Sequence, residues 1–282
     1  RSHLNGLLDT KFKKNIYLKD KKKIILDNKK LIFLKEIPQN IDFDLVIIAT
    51  DVRDRLSIIK KILKNNIIKY LLIEKYIFKN LKEFYTFEKI YLKKIKKDCL
   101  VNCWGEILFK KLKITHSNER FQMHVLVSHD SFLTSFLHFL EMFQFLNKNK
   151  KFSLNKEITK RINSKRKSFK ELRGSFLIEN QNGSKMIYES KKIKYGFIII
   201  LKYQNKSFKI YLDNKYFINI KSDKISRKEK FPLSFMTTKD LLLNIYKNRI
   251  KNIQLPKYKK ISVLNKRILY LLKDTLSGNK FT

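Results

Sequence analysis

The chain has 282 residues, a length typical of about two domains. Hydrophobic residues make up 43% of it and aromatic residues 13%, which excludes a disordered polyelectrolyte in spite of the formal net charge of +39. Only 10 of the 64 basic residues are Arg, and the chain has a single Ala. Because this composition is typical of drift toward AT-rich codons, we do not interpret the lysine excess as a polyanion-binding site; a basic nucleic-acid-binding protein stays as an alternative.

The two cysteines, Cys99 and Cys103, are too few for a disulfide framework or a zinc site of their own, and they indicate a reducing, cytoplasmic location. The longest apolar runs, residues 45–50 and 196–201, are far shorter than the ~20 residues of a membrane-spanning helix, so we expect no membrane partner. Arg1 lies inside a predicted helix, and we therefore expect an upstream segment that is missing from this sequence.

The first hundred residues alternate short β-rich runs with helical patterns. Strands are predicted at residues 15–19, 31–34, 44–49, 70–73 and 99–103, and helices at 53–65 and 81–95. The run at 44–49 is nearly all apolar, as expected of a parallel strand covered on both faces. Strands and helices that alternate with short links indicate βαβ units, so we predict a parallel α/β domain over residues 1–105.

The pattern changes after residue 105. A strand is predicted at 122–127, a strongly aromatic helix at 131–146, and consecutive strands at 172–179, 185–190, 194–203, 207–212 and 216–220. Turn signals such as Asn182-Gly183 separate these strands, and helices at 233–247 and 261–273 close the chain. A meander without intervening helices predicts an antiparallel sheet, so residues 106–282 are expected to form an α+β domain.

Two polar positions follow predicted strands of the first domain. In dinucleotide-binding units, an acidic residue about 20 residues after a glycine turn ends a strand and binds ribose hydroxyls. Asp20 lies at that distance from the residues just before Arg1, although the glycine turn itself is absent from this sequence. The alternative interpretation of Asp20 is a solvent-exposed aspartate in a lysine-rich turn. Thr50 follows an apolar strand, where open α/β sheets bind ligands, and the alternative there is a helix cap at Asp51.

Glu74 and Lys75 follow the apolar run YLLI at residues 70–73, at the same edge of the predicted sheet. Partial burial at such an edge lowers the pKa of a lysine toward neutrality and makes it a usable proton donor. The alternative is one more solvated lysine in a chain that has 54 of them.

His138 and Glu141 lie three residues apart on the predicted aromatic helix, so they share one helical face. The alternative is a core histidine that makes a hydrogen bond. Other thiol and imidazole groups of the chain have no recognisable metal-ligand spacing, and we expect no metal. These groups belong to Cys103, His116, His124 and His129.

Several segments, in their order along the chain, resemble the glucose-fructose oxidoreductase/inositol dehydrogenase (Gfo/Idh/MocA) family. The main ones are RSHLNGLL at residues 1–8, DLVIIAT at 44–50, YLLIEKYIF at 70–78 and SFLHFLEMFQFL at 135–146. In the family these are the helix after a Gly-x-Gly-x-x-Gly turn, the strand before a cofactor-contacting loop, the Glu-Lys-Pro signature and the His-x-x-Asp helix. Tyr76 stands in place of the proline, and Glu141 in place of the aspartate.

Two further segments extend the resemblance over nearly the whole chain. Residues 164–174 resemble members found in surface-sugar (sialic-acid-like) pathways, and residues 255–266 resemble the entry to the family's C-terminal helix. The resemblance implies a Rossmann-like α/β domain with a parallel sheet whose first strand is missing here. It implies that an α+β domain with a mainly antiparallel sheet follows, and that homo-oligomers form through this second sheet.

The resemblance also implies an activity, an NAD(P)-dependent oxidoreductase that exchanges a hydride with a sugar or sugar derivative. The implied roles are catalytic for Lys75 and His138, cofactor-binding for Asp20, Thr50 and Glu74, and substrate-binding for Glu141, Lys165 and Arg166. We expect Asp20, Thr50, Lys75 and His138 to converge on one cleft between the domains. Asp20 favours NAD, whereas the lysines at 21–23 suit the 2′-phosphate of NADP, so both cofactors stay open. The alternative is a degenerate homologue that binds without turnover.

Overall fold

The computed structural model describes residues 2–10, 15–20, 31–115, 119–148, 150–163, 170–194, 196–203, 205–213, 215–222, 226–232 and 234–276. The chain forms two compact units, Arg1–Asn102 with Pro232–Tyr258, and Cys103–Phe231 with Lys259–Thr282. The first boundary lies close to the predicted one at residue 105. The predicted second domain, residues 106–282, is not contiguous, because the segment Pro232–Tyr258 returns to the first unit.

Helices, short helical turns and strands make up the described part of the chain. The helices are α1 (Ser2–Leu8), α2 (Arg55–Asn65), α3 (Leu81–Thr86), α4 (Gly105–Lys111), α5 (Phe132–Leu146), α6 (Ser234–Tyr246) and α7 (Tyr258–Leu276). Turns of π or 3-10 type lie at Phe87–Tyr91, Leu92–Lys94, His129–Ser131 and Ile250–Asn252. The strands are β1 (Ile16–Leu18), β2 (Leu31–Phe33), β3 (Asp42–Ile48), β4 (Ile67–Glu74), β5 (Ile95–Asn102), β6 (Gln122–Ser128), β7 (Phe152–Asn163), β8 (Lys170–Asn180), β9 (Lys185–Lys191), β10 (Phe197–Tyr203), β11 (Lys206–Leu212), β12 (Phe217–Lys221) and β13 (Ser226–Lys230).

The first unit contains a parallel sheet of strand order β3-β4-β5, which confirms the predicted βαβ units. The strand covered on both faces is β4, in which Leu71, Leu72 and Ile73 are fully buried. The prediction that residues 44–49 are covered in this way is wrong for most of the run, because only Ile48 among them is buried. Of the described strands, β3 pairs with β4 alone, so it forms an edge of its sheet and its side chains are half-exposed.

Strands β1 and β2 form a separate parallel pair in the same unit. The pair approaches the three-stranded sheet through Tyr17, whose ring meets Phe43 of β3 edge to face at 5.9 Å. The parallel arrangement is confirmed, although it is divided between two sheets. Each of β1 and β3 keeps one edge that no other described strand pairs with.

The second unit contains an eight-stranded sheet of order β13-β12-β11-β10-β6-β9-β8-β7. All neighbours are antiparallel except β6 and β9, so the predicted mainly antiparallel sheet is confirmed. The prediction of a simple meander is wrong, because β6 lies between β9 and β10 in the sheet. Helix α4, strand β13 and the first half of β7 are absent from the prediction; α4 is only seven residues long and β13 is nearly all charged, whereas the first half of β7 does alternate apolar and polar residues and is missed nonetheless.

Helix α5 lies against the central strands of this sheet. Phe136 packs on Phe176 of β8 at 4.2 Å between ring centroids, and Phe139 packs on Tyr188 of β9 at 5.5 Å. The helix is buried on nearly every face, because α4 packs on it as well. As a result, the polar side chains of His138 and Glu141 are enclosed with the aromatic core.

Candidate functional site

The carboxyl ends of β3, β4 and β5 lie at one edge of the parallel sheet. Ile48 is in register with Ile73, and Glu74 with Asn102. The sequence places Thr50 two residues after β3, Glu74 at the end of β4 and Lys75 directly after it. The fold therefore brings three of the predicted site residues to a single edge, where open α/β sheets hold their ligands.

Arg55 joins the first two of these strand ends. Its guanidinium donates to the carbonyl oxygen of Thr50 through Nε at 3.0 Å and Nη2 at 2.9 Å, and Nη1 donates to the carbonyl oxygens of Glu74 and Ile77. The residue is only 5% exposed. Arg55 thereby fixes the backbone on both sides of Lys75, a role that the sequence patterns do not predict. The available signal is the presence of an arginine, which is rare in this chain, in the first helical turn after the apolar strand β3.

Asp51 does not cap helix α2, so that alternative is wrong. The helix begins at Arg55 with Asp54 at its N-cap, and Asp54 makes no side-chain capping bond. Asp51 instead accepts the backbone N–H of Arg53 at 3.0 Å and pairs with its guanidinium at 2.7 Å. Partial burial opposes the ionised form of Asp51, but the bonds from Arg53 outweigh it and lower the pKa.

Glu74 is held in a hydrogen-bonded cluster with α1 and α6. Its Oε1 lies 2.6 Å from His3 Nε2 and accepts the side-chain N–H of Asn102 at 2.6 Å. His3 Nδ1 lies 2.6 Å from the hydroxyl of Thr238. Burial raises the pKa of Glu74, but the bonds from His3 and Asn102 and the charge of Lys75 leave it below its ordinary value. Glu74 is therefore a carboxylate at neutral pH.

Lys75 is half-buried beside this carboxylate, and its peptide bond to the buried Tyr76 is cis. Asp20 is exposed and follows β1, so it lies at the end of the separate two-stranded pair. Its role toward a cofactor stays a prediction. Lys165 and Arg166 lie outside the described residues.

His138 lies in the second unit, in a buried cluster with Cys103 and Trp104. Its Nδ1 accepts the backbone N–H of Trp104 at 3.2 Å and lies 3.1 Å from Cys103 Sγ. The Trp104 indole stacks on the imidazole with 4.1 Å between centroids and 27° between planes. His138 is 2% exposed, so it has the buried, hydrogen-bonded environment of a core histidine. Its convergence with Lys75, which belongs to the other unit, stays a prediction.

Glu141 is fully buried in the same cluster. Its Oε2 accepts the backbone N–H of Glu106 at 3.3 Å, and its Oε1 has no hydrogen-bond partner among the described residues. Burial raises the pKa of Glu141 to about 7. Contact between Glu141 and a substrate stays a prediction, and such deep burial favours a supporting role.

Gly105 allows α4 to approach this cluster closely. A Cβ atom at this position would lie 2.2 Å from the carbonyl oxygen of His138 and 2.9 Å from Glu141 Oε2. Only a glycine fits this close approach between the helices. It lets the Glu106 N–H reach the buried carboxyl.

The other imidazole groups considered as metal ligands lie apart from this cluster. His124 Nε2 pairs with Glu189 at 2.9 Å across β6 and β9, whereas His129 lies in the 3-10 turn before α5. His116 is outside the described residues. Within the described ranges, no three His, Cys, Asp or Glu side chains are grouped so that they could hold a metal ion.

Comparison with known proteins places the chain by its fold. No protein-family model and no curated protein sequence matches it. An oxidoreductase from Bacillus cereus aligns with a TM-score of 0.63 at 13% identity, over 96% of this chain and 91% of that one. The transcriptional regulator Gal80p from Kluyveromyces lactis aligns with a TM-score of 0.60 at 13% identity, over 90% and 80% of the two chains.

A third solved structure carries ligands. It is an oxidoreductase from Agrobacterium radiobacter in complex with NAD+, L-tartaric acid and magnesium, and it aligns with a TM-score of 0.50 at 16% identity over 73% of this chain and 71% of that one. At such low identity these likenesses show the fold alone. The chain thus shares a two-part fold, a Rossmann-like parallel part and a larger antiparallel sheet, with oxidoreductases and with a regulator. None of the described helices is long and apolar enough to cross a membrane.

Proposed function

We propose that this chain is an NAD(P)-dependent oxidoreductase of the Gfo/Idh/MocA kind that acts on a hydroxyl carbon of a sugar or sugar derivative. The observation that carries the proposal is the strand-end site of the first unit. There Arg55 ties the backbone at Thr50 to the backbone at Glu74, and Lys75 follows directly. The fold shared with oxidoreductases supports the same class of reaction.

The donor groups at this edge fit a dinucleotide. The exposed carboxylate of Asp20 suits ribose hydroxyls, and Thr50 lies where a cofactor-contacting loop begins. Glu74 already shares Oε1 between His3 and Asn102, so we assign it to the wall of this site, beside Lys75. The 282 residues contain no Gly-x-Gly-x-x-Gly turn, and no pyrophosphate contact is assigned. When bound, the nicotinamide supplies the hydride acceptor or donor.

Lys75 is the residue that moves the proton in this proposal. Lys75, whose charge lowers the pKa of Glu74, first releases a proton to solvent; the neutral amine at Nζ then takes up the O–H proton of a substrate hydroxyl while the hydride leaves the same carbon for the cofactor. In the reverse direction, Nζ returns that proton to the oxygen. A general acid or base must lie within hydrogen-bonding reach of the reacting oxygen, and the end of β4 is a rigid place from which to reach it.

The test of the proposal compares two lysines. Lys75→Ala should lower kcat ~100- to 10,000-fold, because a general acid or base contributes about that much, while the cofactor Kd stays within about twofold. Lys79→Ala is the matched control, since Lys79 is an exposed lysine four residues away whose ammonium pairs with Glu83. Turnover is measured with NAD and NADP over a panel of sugars and nucleotide sugars. Undiminished kcat in Lys75→Ala would refute the assignment.

A binding role without turnover is the second candidate. The specific observation that favours it is the likeness to Gal80p, which is a transcriptional regulator on the same fold. The replacement of the family's proline and aspartate by Tyr76 and Glu141 points the same way. Tight binding of NAD or NADP with no turnover over the whole substrate panel would select this candidate.

Nucleic-acid binding is separated from both candidates by its salt dependence. We expect weak binding to duplex DNA at low salt, driven by the net charge of +39, with the affinity falling steeply as salt rises. Fluorescence anisotropy with two unrelated duplexes measures this. Sequence-selective binding that persists at ~150 mM salt would support the nucleic-acid alternative instead.

A further inference from the structure

We infer that Cys103 and the backbone N–H of Trp104 hold His138 in the tautomer that carries its proton on Nε2. His138 is then a hydrogen-bond donor at Nε2, and Cys103 is a positioning residue. The assignment concerns side chains of the second unit only and is independent of any ligand. Its meaning for catalysis rests on the proposed function.

The backbone N–H of Trp104 decides the tautomer. It lies 3.2 Å from His138 Nδ1 and, as an N–H group, it can only donate. Nδ1 must therefore present its lone pair, and a neutral imidazole then carries its single proton on Nε2. A proton on Nδ1 would set two N–H groups against each other in a buried place, at the cost of a lost hydrogen bond.

The thiol of Cys103 acts in the same direction. Its Sγ lies 3.1 Å from Nδ1 and 3.9 Å from the carbonyl oxygen of Leu137, and both of these atoms accept hydrogen bonds. Because Cys103 is fully buried, its neutral S–H form is favoured over the thiolate. With the Glu141 carboxyl, the single S–H proton faces three acceptors, and at 3.1 Å Nδ1 is one to which Cys103 can donate beside the Trp104 N–H.

The surroundings prevent the ring from turning to another arrangement. The Trp104 indole covers one face of the imidazole at 4.1 Å, and Gly105 lets α4 close against α5 at the His138 carbonyl. Behind the thiol lies the fully buried Glu141, whose carboxyl is within hydrogen-bonding reach of Cys103. A ring packed in this way keeps one orientation, and so the same nitrogen faces Trp104 and Cys103 throughout.

In the proposed reaction this tautomer gives His138 and Lys75 different roles. An N–H group at Nε2 can donate a hydrogen bond, but it cannot take up a hydroxyl proton at that atom. Proton transfer therefore falls to Lys75 alone. His138 is 2% exposed and belongs to the second unit, so it acts on the proposed reaction as a positioning residue, and Cys103 acts through His138.

Nitrogen-15 NMR of the full chain labelled at histidine tests the tautomer directly. The His138 signals are assigned by their loss in His138→Asn. We expect a ring at pH 7.5 whose proton couples to Nε2 and whose Nδ1 is unprotonated. A Nδ1–H ring, or a ring protonated at both nitrogens, would overturn the inference without any substitution at Cys103.

A second measurement tests the role of the thiol. Cys103→Ala removes one donor toward Nδ1, so the pH at which His138 takes up its second proton should rise by roughly half a unit to one unit. Cys103→Ser keeps a donor and should restore the wild-type midpoint. Cys99→Ala is the control, because Cys99 is also buried but belongs to strand β5 of the first unit. Equal shifts in Cys99→Ala and Cys103→Ala would show loosened packing and refute the role of Cys103.

The activity readout keeps this inference separate from the proposed function. If the chain turns over a substrate, Cys103→Ala should move the pH profile of kcat in the same direction as the NMR midpoint, with the cofactor Kd unchanged. An unmoved profile would refute the positioning role. A Nε2–H ring in a chain that turns over nothing on the panel supports the tautomer and counts against the proposed function.

Discussion

Two glutamates with opposite ionisation behaviour mark the two regions that hold the candidate site residues. Glu74, at the strand-end site, has a pKa below its ordinary value, although burial alone would raise it. Glu141, beside the buried histidine, has a pKa of about 7. Glu74 receives side-chain bonds from His3 and Asn102, whereas the bond that Glu141 receives from the backbone of Glu106 is 3.3 Å long. The difference teaches that the strength and charge of the groups around a buried carboxyl decide its ionisation: Glu74 faces His3 and Lys75, whereas Glu141 has a thiol and a long backbone bond as donors and the charge of Glu106 nearby.

The largest expected effect concerns the scaffold of the strand-end site. Arg55→Ala leaves the carbonyl oxygens of Thr50, Glu74 and Ile77 without their guanidinium donor in a buried place. We expect the free energy of unfolding to fall by about 4 kcal/mol, measured by denaturant titration. Arg53→Ala is the control, because its pair with Asp51 is half-exposed, and it should change little. Similar losses in both variants would contradict the bridging role of Arg55.

The corresponding scaffold position in the second unit is Gly105. Gly105→Ala places a Cβ atom 2.2 Å from a backbone oxygen, which requires α4 to move away from α5. We expect a loss of about 3 kcal/mol and a changed near-UV signal from Trp104. Gly196→Ala meets only the flexible end of Leu212 at 3.0 Å and should be tolerated. Equal stability of the two variants would refute the close approach.

Glu141 sets the pH dependence of the second unit. Its pKa is raised from 4.5 to about 7, so the unfolded chain binds fewer protons at this group, and stability falls as pH rises through that window. The free energy of unfolding of the non-titrating Glu141→Gln variant should therefore rise relative to that of the wild type between pH 5 and pH 8, by up to about 3 kcal/mol. The gain is measured from paired denaturation curves. The exposed Glu157→Gln should show no such trend, and a flat difference for Glu141→Gln would exclude the raised pKa.

Glu74 should give the smallest effect and the opposite sign. Its pKa is lowered in the folded chain, so its stabilisation is present above the ordinary carboxyl range and is lost as pH falls through the folded pKa. Glu74→Gln should cost about 1.5 kcal/mol at pH 7, and the difference from the wild type should shrink in acid. A difference that grows on acidification would break the comparison between the two glutamates.

The fold is more accessible from the sequence than the site is. Local patterns identify β4, α5 and most of the other elements, because buried runs such as YLLI and the aromatic helix have clear periodicity. The place of β6 between β9 and β10 depends on pairing between strands distant in the sequence, and no local pattern contains it. The return of Pro232–Tyr258 to the first unit is hidden for the same reason.

The sequence predicts where the candidate site residues lie along the strands and helices, but not which side chains they contact. Lys75 and Thr50 follow from strand ends, and His138 from its helix. The hydrogen bonds of Arg55, His3 and Cys103 that matter here are made with residues 19 to 71 positions away in the sequence. Since 54 lysines and five histidines are spread along the chain, residue type alone does not reveal which of them meet.

The discontinuous first unit has a consequence for synthesis on the ribosome. Ser234 bonds to Asn102, and Thr238 lies against His3, so helix α6 supplies part of the cluster around Glu74. A nascent chain that has emerged as far as Asn102 lacks these partners, and nearly all of the second unit must be translated before they arrive. At ~5–20 residues per second, this leaves the strand-end carboxylate without its full set of bonds for several seconds. Completion of the cluster around Glu74 is thus tied to a segment that is translated only after Cys103–Phe231.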